Sequence, residues 1–273
     1  MNRAITWLAC AVAGLWGLVA LFGSLLPLSP NAVDLSNILA PPGAAHWLGC
    51  DDLGRDILHR LIAGARTAAV VAMLVTTVTG VLGIAIGTVA AWSPPWLELT
   101  IVRIMDVFLA FPGMLLAIAF AAVLGPGALN AVLALSMVGW VGFARLARAQ
   151  AASLRCREHV AAATALGTPA SWILLRHVLP LAAAPLIVEA TFAFASAIVA
   201  EAGLSFLGLG VQPPAPSWGS MIRDGVSYML VAPHAVTGPA LVMAITVLAI
   251  NTLGDALRDA MDVRIDPRAA RLG

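Results

Sequence analysis

Residues 107–144 read VFLAFPGMLLAIAFAAVLGPGALNAVLALSMVGWVGFA, without one charged side chain. As a single α-helix this stretch would be about 57 Å long at 1.5 Å per residue, against a hydrocarbon core of roughly 30 Å. Gly125-Pro126-Gly127 interrupts it. A helix does not readily cross such a triplet, because proline removes a backbone donor and glycine costs backbone entropy. The reading that follows is two antiparallel membrane spans, 100–124 and 128–144, joined by a very short turn.

Working outward, the same test of roughly 20 apolar residues marks spans at 4–26, 67–92, 184–204 and 234–257. The first could be mistaken for a secretory signal, and Leu8-Ala9-Cys10 resembles a lipoprotein cleavage site. Too few apolar residues precede Cys10, however, and the run continues past it, so an uncleaved helix is expected. Residues 27–66 are polar. Within them Ile57, Leu58, Leu61 and Ile62 recur at helical spacing among Asp56, His59 and Arg60, which predicts a short amphipathic helix at the interface. Gly83-Ile-Ala-Ile-Gly87 is a small-xxx-small pattern that lets a neighbouring helix approach closely. Residues 205–233, with Pro213, Pro214, Pro216 and Trp218, read as a structured loop with a second interfacial helix.

Composition supports the same class. The chain is 61% hydrophobic and only 11% charged, with a mean hydropathy of +0.95, where a soluble domain carries about 25% charged residues. The expectation is an all-α integral membrane protein with six transmembrane helices. A net charge of +1 excludes a broad nucleic-acid surface, which needs clustered positive charge. The sequence contains no lysine, so it cannot hold a P-loop, whose lysine binds the β- and γ-phosphates. Any ATP and Mg²⁺ would be bound by a separate chain. Cys10, Cys50 and Cys156 fall in three different environments, so no disulfide framework is expected.

Arginine placement orients the spans. With the N-terminus in the cytoplasm, Arg3, Arg103, Arg145, Arg148, Arg155, Arg157, Arg176, Arg258, Arg264, Arg268 and Arg271 lie inside. Only Arg55, Arg60, Arg66 and Arg223 lie outside. Both termini are then cytoplasmic.

The inner segment 145–180 contains REHVAAATALG (157–167) followed by TPASWILLRHVLP (168–180). Small helix formers fill 161–165, Gly167 suits the left-handed end of a helix, and Thr168 and Pro169 suit the start of the next. Pro180 is expected to close that second helix. The result is two short helices meeting at a glycine corner. The alanine-rich one has no bulky face and suits insertion into a groove of another protein.

This segment resembles the Glu-Ala-Ala loop of membrane subunits of binding-protein-dependent ABC importers, with its glycine and later Leu-Pro. Ala162, Ala163, Gly167, Leu179 and Pro180 match; the motif's glutamate position is Ala161, with Glu158 one turn earlier. The resemblance spans nearly the whole chain and points to the dipeptide/oligopeptide/nickel branch, as its second, smaller permease. It is carried by HWLG (46–49), DDLGRD (51–56), GAR (64–66), AGLSFLGLGV (202–211), Pro213-Pro214, Trp218-Gly219, GDALRD (254–259) and DPR (266–268).

The resemblance implies a type I importer permease with no cofactor of its own. Residues 1–66 would form the first span, the outer loop and the interfacial helix. Residues 67–258 would be the permease core, with coupling loop 145–180, and 259–273 a cytoplasmic tail. The implied partners, besides membrane lipid, are a second permease, two ATP-binding subunits and an outer substrate-binding protein. Coupling to the ATPase would rest on Glu158, Ala162, Ala163, Gly167, Leu179 and Pro180. Short peptides are the expected substrate, with nickel or another metal chelate, or a glutathione-type substrate, as alternatives.

Glu189 and Glu201 are the candidates for the translocation path, since ionisable groups within spans usually face a cavity or a partner. The alternative keeps them at helix ends, wetted or paired with arginine. The five histidines show no metal-ligand spacing. Two other classes compete. An intramembrane enzyme would need a catalytic constellation, and none is convincing here. A stand-alone secondary transporter would show inverted repeats, and no clear repeat is seen.

Overall fold

A computed structural model describes residues 3–261. The tail arginines Arg264, Arg268 and Arg271 and the DPR stretch lie outside the described residues. The described residues are mainly helical: α1 (Arg3–Phe22), α2 (Ile57–Trp92), α3 (Pro95–Ala110), α4 (Gly113–Leu124), α5 (Ala128–Arg155), α6 (Glu158–Ala165), α7 (Ala170–Ile173), α8 (Leu179–Phe206), α9 (Trp218–Val226) and α10 (His234–Met261). Among the described residues five helical runs are long and apolar enough to cross a membrane, and the bent α3–α4 pair brings the number to six if it is counted as one span.

Several elements differ from the sequence reading. The amphipathic stretch 57–62 is not a separate interfacial helix but the first turns of α2, started by the Asp56 side chain, which accepts the His59 amide at 3.0 Å. The 100–124 span is not one straight helix. α3 and α4 meet at 90°, because Pro112 cannot donate to the helix and forces Phe111 into an extended conformation (φ −99°, ψ 143°). The fourth span extends to Arg155, so Arg145, Arg148 and Arg155 ride on its end rather than in a loop. Pro180 does not close a helix. A π-helical turn at Leu174–Val178 carries α7 directly into α8, giving one run from Ala170 to Phe206. The wider turn accommodates the missing proline amide. The predicted hairpin turn holds at Gly125–Gly127, where the Asn130 amide donates to the carbonyls of Leu124 and Gly125 at 2.9 and 3.1 Å.

α2 and α5 form the central pair. A Cβ on Gly83 would strike the Trp140 carbonyl, and one on Gly87 the Ala144 carbonyl, so the small-xxx-small pattern is where the two backbones meet. Two arginines of α5 tie its end to neighbouring elements. Arg148 Nη2 pairs with Glu98 at 2.7 Å, and Arg155 donates to the Ala91 carbonyl at 3.1 Å while stacking on Trp92.

At the opposite end of the bundle Trp218 of α9 is fully buried and donates to the Leu61 carbonyl at 3.1 Å. Ser217 and Ser220 cap α9 reciprocally. The motif residues of 46–56 knit that end together: His46 Nδ1 lies 2.8 Å from Asp56, Arg55 pairs with Asp51 at 2.7 Å, and buried Arg60 lies 3.4 Å from Asp51.

Candidate coupling corner and translocation cavity

The predicted coupling residues gather at one end of the bundle. α6 stops in a two-bond corner: the Gly167 amide donates to the Thr164 carbonyl at 3.0 Å and the Thr168 amide to the Ala163 carbonyl at 3.1 Å. This is the Schellman arrangement. Gly167 takes φ +77°, and nothing lies within 4 Å of where its Cβ would be. Glycine is therefore required here for backbone conformation and not for space. Ala162 accepts the Leu166 amide at 3.0 Å, so both motif alanines contribute carbonyls to the turn. Thr168 makes no cap; the next helix is entered through Pro169, one residue later than expected.

Val160 of α6 and Ile173 of α7 are buried against Ala147, Ala151 and Leu154 of α5 and Val178 and Ala182 beyond the corner. These two side chains bolt the segment to the bundle. Its other face is open: Leu166 is 86% exposed, and Trp172 and Leu175 are exposed beside Arg176 and Pro180, where a shallow hollow forms. Leu179 is half-buried, and Glu158 and Ala162 are exposed. His159 and His177 stack loosely across the corner, ring centres 6.0 Å apart.

The two carboxylates offered by the sequence for the path are separated by the fold. Glu201 is only 1% exposed and accepts the Ser205 hydroxyl at 2.6 Å; that hydroxyl in turn accepts the Val211 amide at 3.0 Å. It anchors the chain leaving α8 and lines neither of the two cavities that meet at Glu189. Glu189 lies twelve residues earlier, roughly 18 Å along the helix axis, and faces open space.

Two cavities meet at Glu189. One, of about 350 Å³, is largely apolar and lies among α2, α4, α5 and α8, with Thr79, Met114, Val138 and Ser196 in its wall. The other, of about 520 Å³, lies nearer the glycine corner among α5, α8 and α10, with Gln150 and Arg258 in its wall. Glu189 and Phe192, one turn apart on α8, are the two residues common to both. Phe192 is held by Gly254 of α10, whose Cβ would lie 3.1 Å from its ring. The sequence reading missed Phe192 and took Arg258 as a cytoplasmic charge within the GDALRD stretch, not as a cavity residue. The three-residue step from Glu189 to Phe192 was the available signal for the first; the GDALRD stretch marked the second without showing what it faces.

Comparisons with known proteins agree with this architecture. Residues 83–267 match the family model of the binding-protein-dependent transport system inner membrane component. The chain is 42% identical over 249 residues to the dipeptide transport system permease protein DppC of Alkalihalophilus pseudofirmus, covering 91% of this chain and 82% of that protein. It is 40% identical over 235 residues to the glutathione transport system permease protein GsiD of Pectobacterium atrosepticum, covering 86% and 78%. Among solved structures, the inward-facing MetNI methionine ABC transporter superposes with a TM-score of 0.62 at 18% identity, over 75% of this chain and 97% of that one. A bent-helix membrane bundle with an exposed glycine corner, matched in sequence over most of its length, places this chain in the family of binding-protein-dependent transport system inner membrane components.

Proposed function

We propose that this chain is the permease subunit through which an ATP-driven importer moves short peptides across the cytoplasmic membrane. As a member of its family it is a transport component and not an enzyme. ATP and Mg²⁺ are held by two partner ATPases, and a second permease and an outer binding protein complete the assembly. Both termini are cytoplasmic, on the arginine distribution, so the glycine corner faces the ATPases.

The observation that carries the reading is that corner. Its inner face is fixed to α5 and α8 through Val160 and Ile173, while Leu166 and Trp172 stand exposed. An exposed apolar knob rigidly joined to two transmembrane helices is a lever. Closure of the ATPase dimer moves Glu158, Ala162, Ala163 and Gly167. The continuous Ala170–Phe206 run then carries that displacement past Leu179 and Pro180 to Glu189 without an intervening loop. Peptides are the preferred cargo because the DppC relative is a dipeptide permease; the GsiD relative supports glutathione, itself a small peptide, as the second reading.

Gly167→Asp tests the lever. An L-residue at φ +77° costs on the order of 1–2 kcal/mol, and a carboxylate at the apolar knob opposes docking. The variant should insert normally yet lose peptide uptake in membrane vesicles. Wild-type uptake by Gly167→Asp would sink the assignment.

A further inference from the structure

Glu189 makes no hydrogen bond or ion pair with any described residue, although it lies within a span and is only partly exposed. Arg258, exposed on the last turn of α10 at the inner mouth of the same cavity, also has no such partner among the described residues. One cavity thus presents a carboxylate and a guanidinium that have no partner among the described residues. An unneutralised carboxylate at membrane depth, as Glu189 is, is costly and persists where it serves a passing ion or substrate. If Glu189 were structural, it would be expected to bond to a cation or to a backbone amide, as Glu98 pairs with Arg148 at 2.7 Å.

We propose that Glu189 receives the free α-ammonium of a peptide in transit, and that Arg258 receives its α-carboxylate. This rests on the peptide reading above and deepens it: the permease itself, and not only the binding protein, selects zwitterionic chains with both ends unblocked. The apolar wall around Met114 and Val138 accepts side chains of varied shape, since apolar contact discriminates weakly among them. The termini are the features that all short peptides share, so charge is placed where they pass. Phe192 stands beside Glu189 at the divide between the cavities, so the ammonium is engaged as the peptide crosses from the apolar cavity toward the coupling end. A charge pair that reads only the termini gives selection without tight binding, which a conduit requires because its cargo must leave.

The test uses the whole importer, with its second permease, ATPases and binding protein, reconstituted in liposomes. Uptake per ATP is measured for a labelled dipeptide and for its N-acetylated form, chosen as a pair that the binding protein is first shown to take in both forms, at saturating concentration. The wild type should favour the free amine by tenfold or more. Glu189→Gln should bring that ratio close to one, and Glu189→Asp should restore part of it. Arg258→Gln should do the same for free-acid against amidated peptide.

An unchanged free-amine preference in Glu189→Gln overturns the inference and leaves the peptide reading standing. Loss of the second permease from the purified Glu189→Gln complex also overturns it, by making Glu189 an interface residue. A wild-type importer that moves neither peptide, yet carries another solute on the same binding protein, overturns the peptide reading and this inference with it.

Discussion

Asp56 shows how one side chain can join two levels of the structure. Its carboxylate caps α2 through the His59 amide and bonds the His46 ring at 2.8 Å. Burial pushes its pKa up, but the hydrogen bonds to His46 and to the His59 amide outweigh that, and the group titrates below the usual 3.8. A carboxylate with a depressed folded pKa contributes stability that is fully present above its unfolded value and is lost as pH falls through the folded one. The end of the bundle carrying residues 46–60 should therefore loosen as pH drops from about 5 toward 3. Asp52, lifted by burial, acts in the opposite sense, so the measurement is a difference. Hydrogen exchange of this segment should lose part of its acid sensitivity in Asp56→Asn, which keeps the cap acceptor but removes the titration; equal acid profiles would refute the assignment. His46 and Asp56 were each legible in the sequence as motif residues. Their pairing was not, because a contact across ten residues depends on the fold of the loop between them.

At the scale of helices, the α2–α5 contact is the decisive one. Gly83 and Gly87 let the two backbones touch, and a side chain at either position would meet a carbonyl of α5. Gly87→Val should separate the pair and lower stability in detergent by about 2 kcal/mol or more. Val81→Leu, on an exposed face of the same helix, should change it little. Melting of the two purified variants checks this, and equal midpoints would remove the contact from its central role. The pattern at 83–87 was visible in the sequence because spacing alone puts both glycines on one face. The bend at Pro112 and the helix running through Pro180 were not read correctly. A proline states that a regular hydrogen bond is lost, and the surroundings decide the response. Phe111-Pro112 sits where α3 turns toward α4, and the chain kinks. At Pro180 a π turn absorbs the missing donor and the helix goes on.

At the scale of the molecule, the two ends have different tasks. One is tied by Trp218, Arg60 and the 46–56 segment; the other exposes the glycine corner. An importer subunit with this division of labour should not work alone. A C-terminally tagged chain extracted in mild detergent from its native cell should bring down a P-loop ATPase and a second permease. Recovery of the chain alone, still transporting in liposomes without ATP, would instead establish a secondary transporter.

The sequence by itself determined that this chain lives in lipid, where its apolar runs fall and where the corner at Gly167 turns. Hydropathy, helix capping and a left-handed glycine are local properties, each settled within one or two turns of chain. Only the tertiary structure decided that Glu201 is tied to Ser205 while Glu189 stands free, and that Arg258 of α10 faces the cavity Glu189 lines on α8. Both carboxylates sit in similar apolar surroundings along one helix. What each one meets depends on helices distant in the sequence, whose packing a reading along the chain cannot sum.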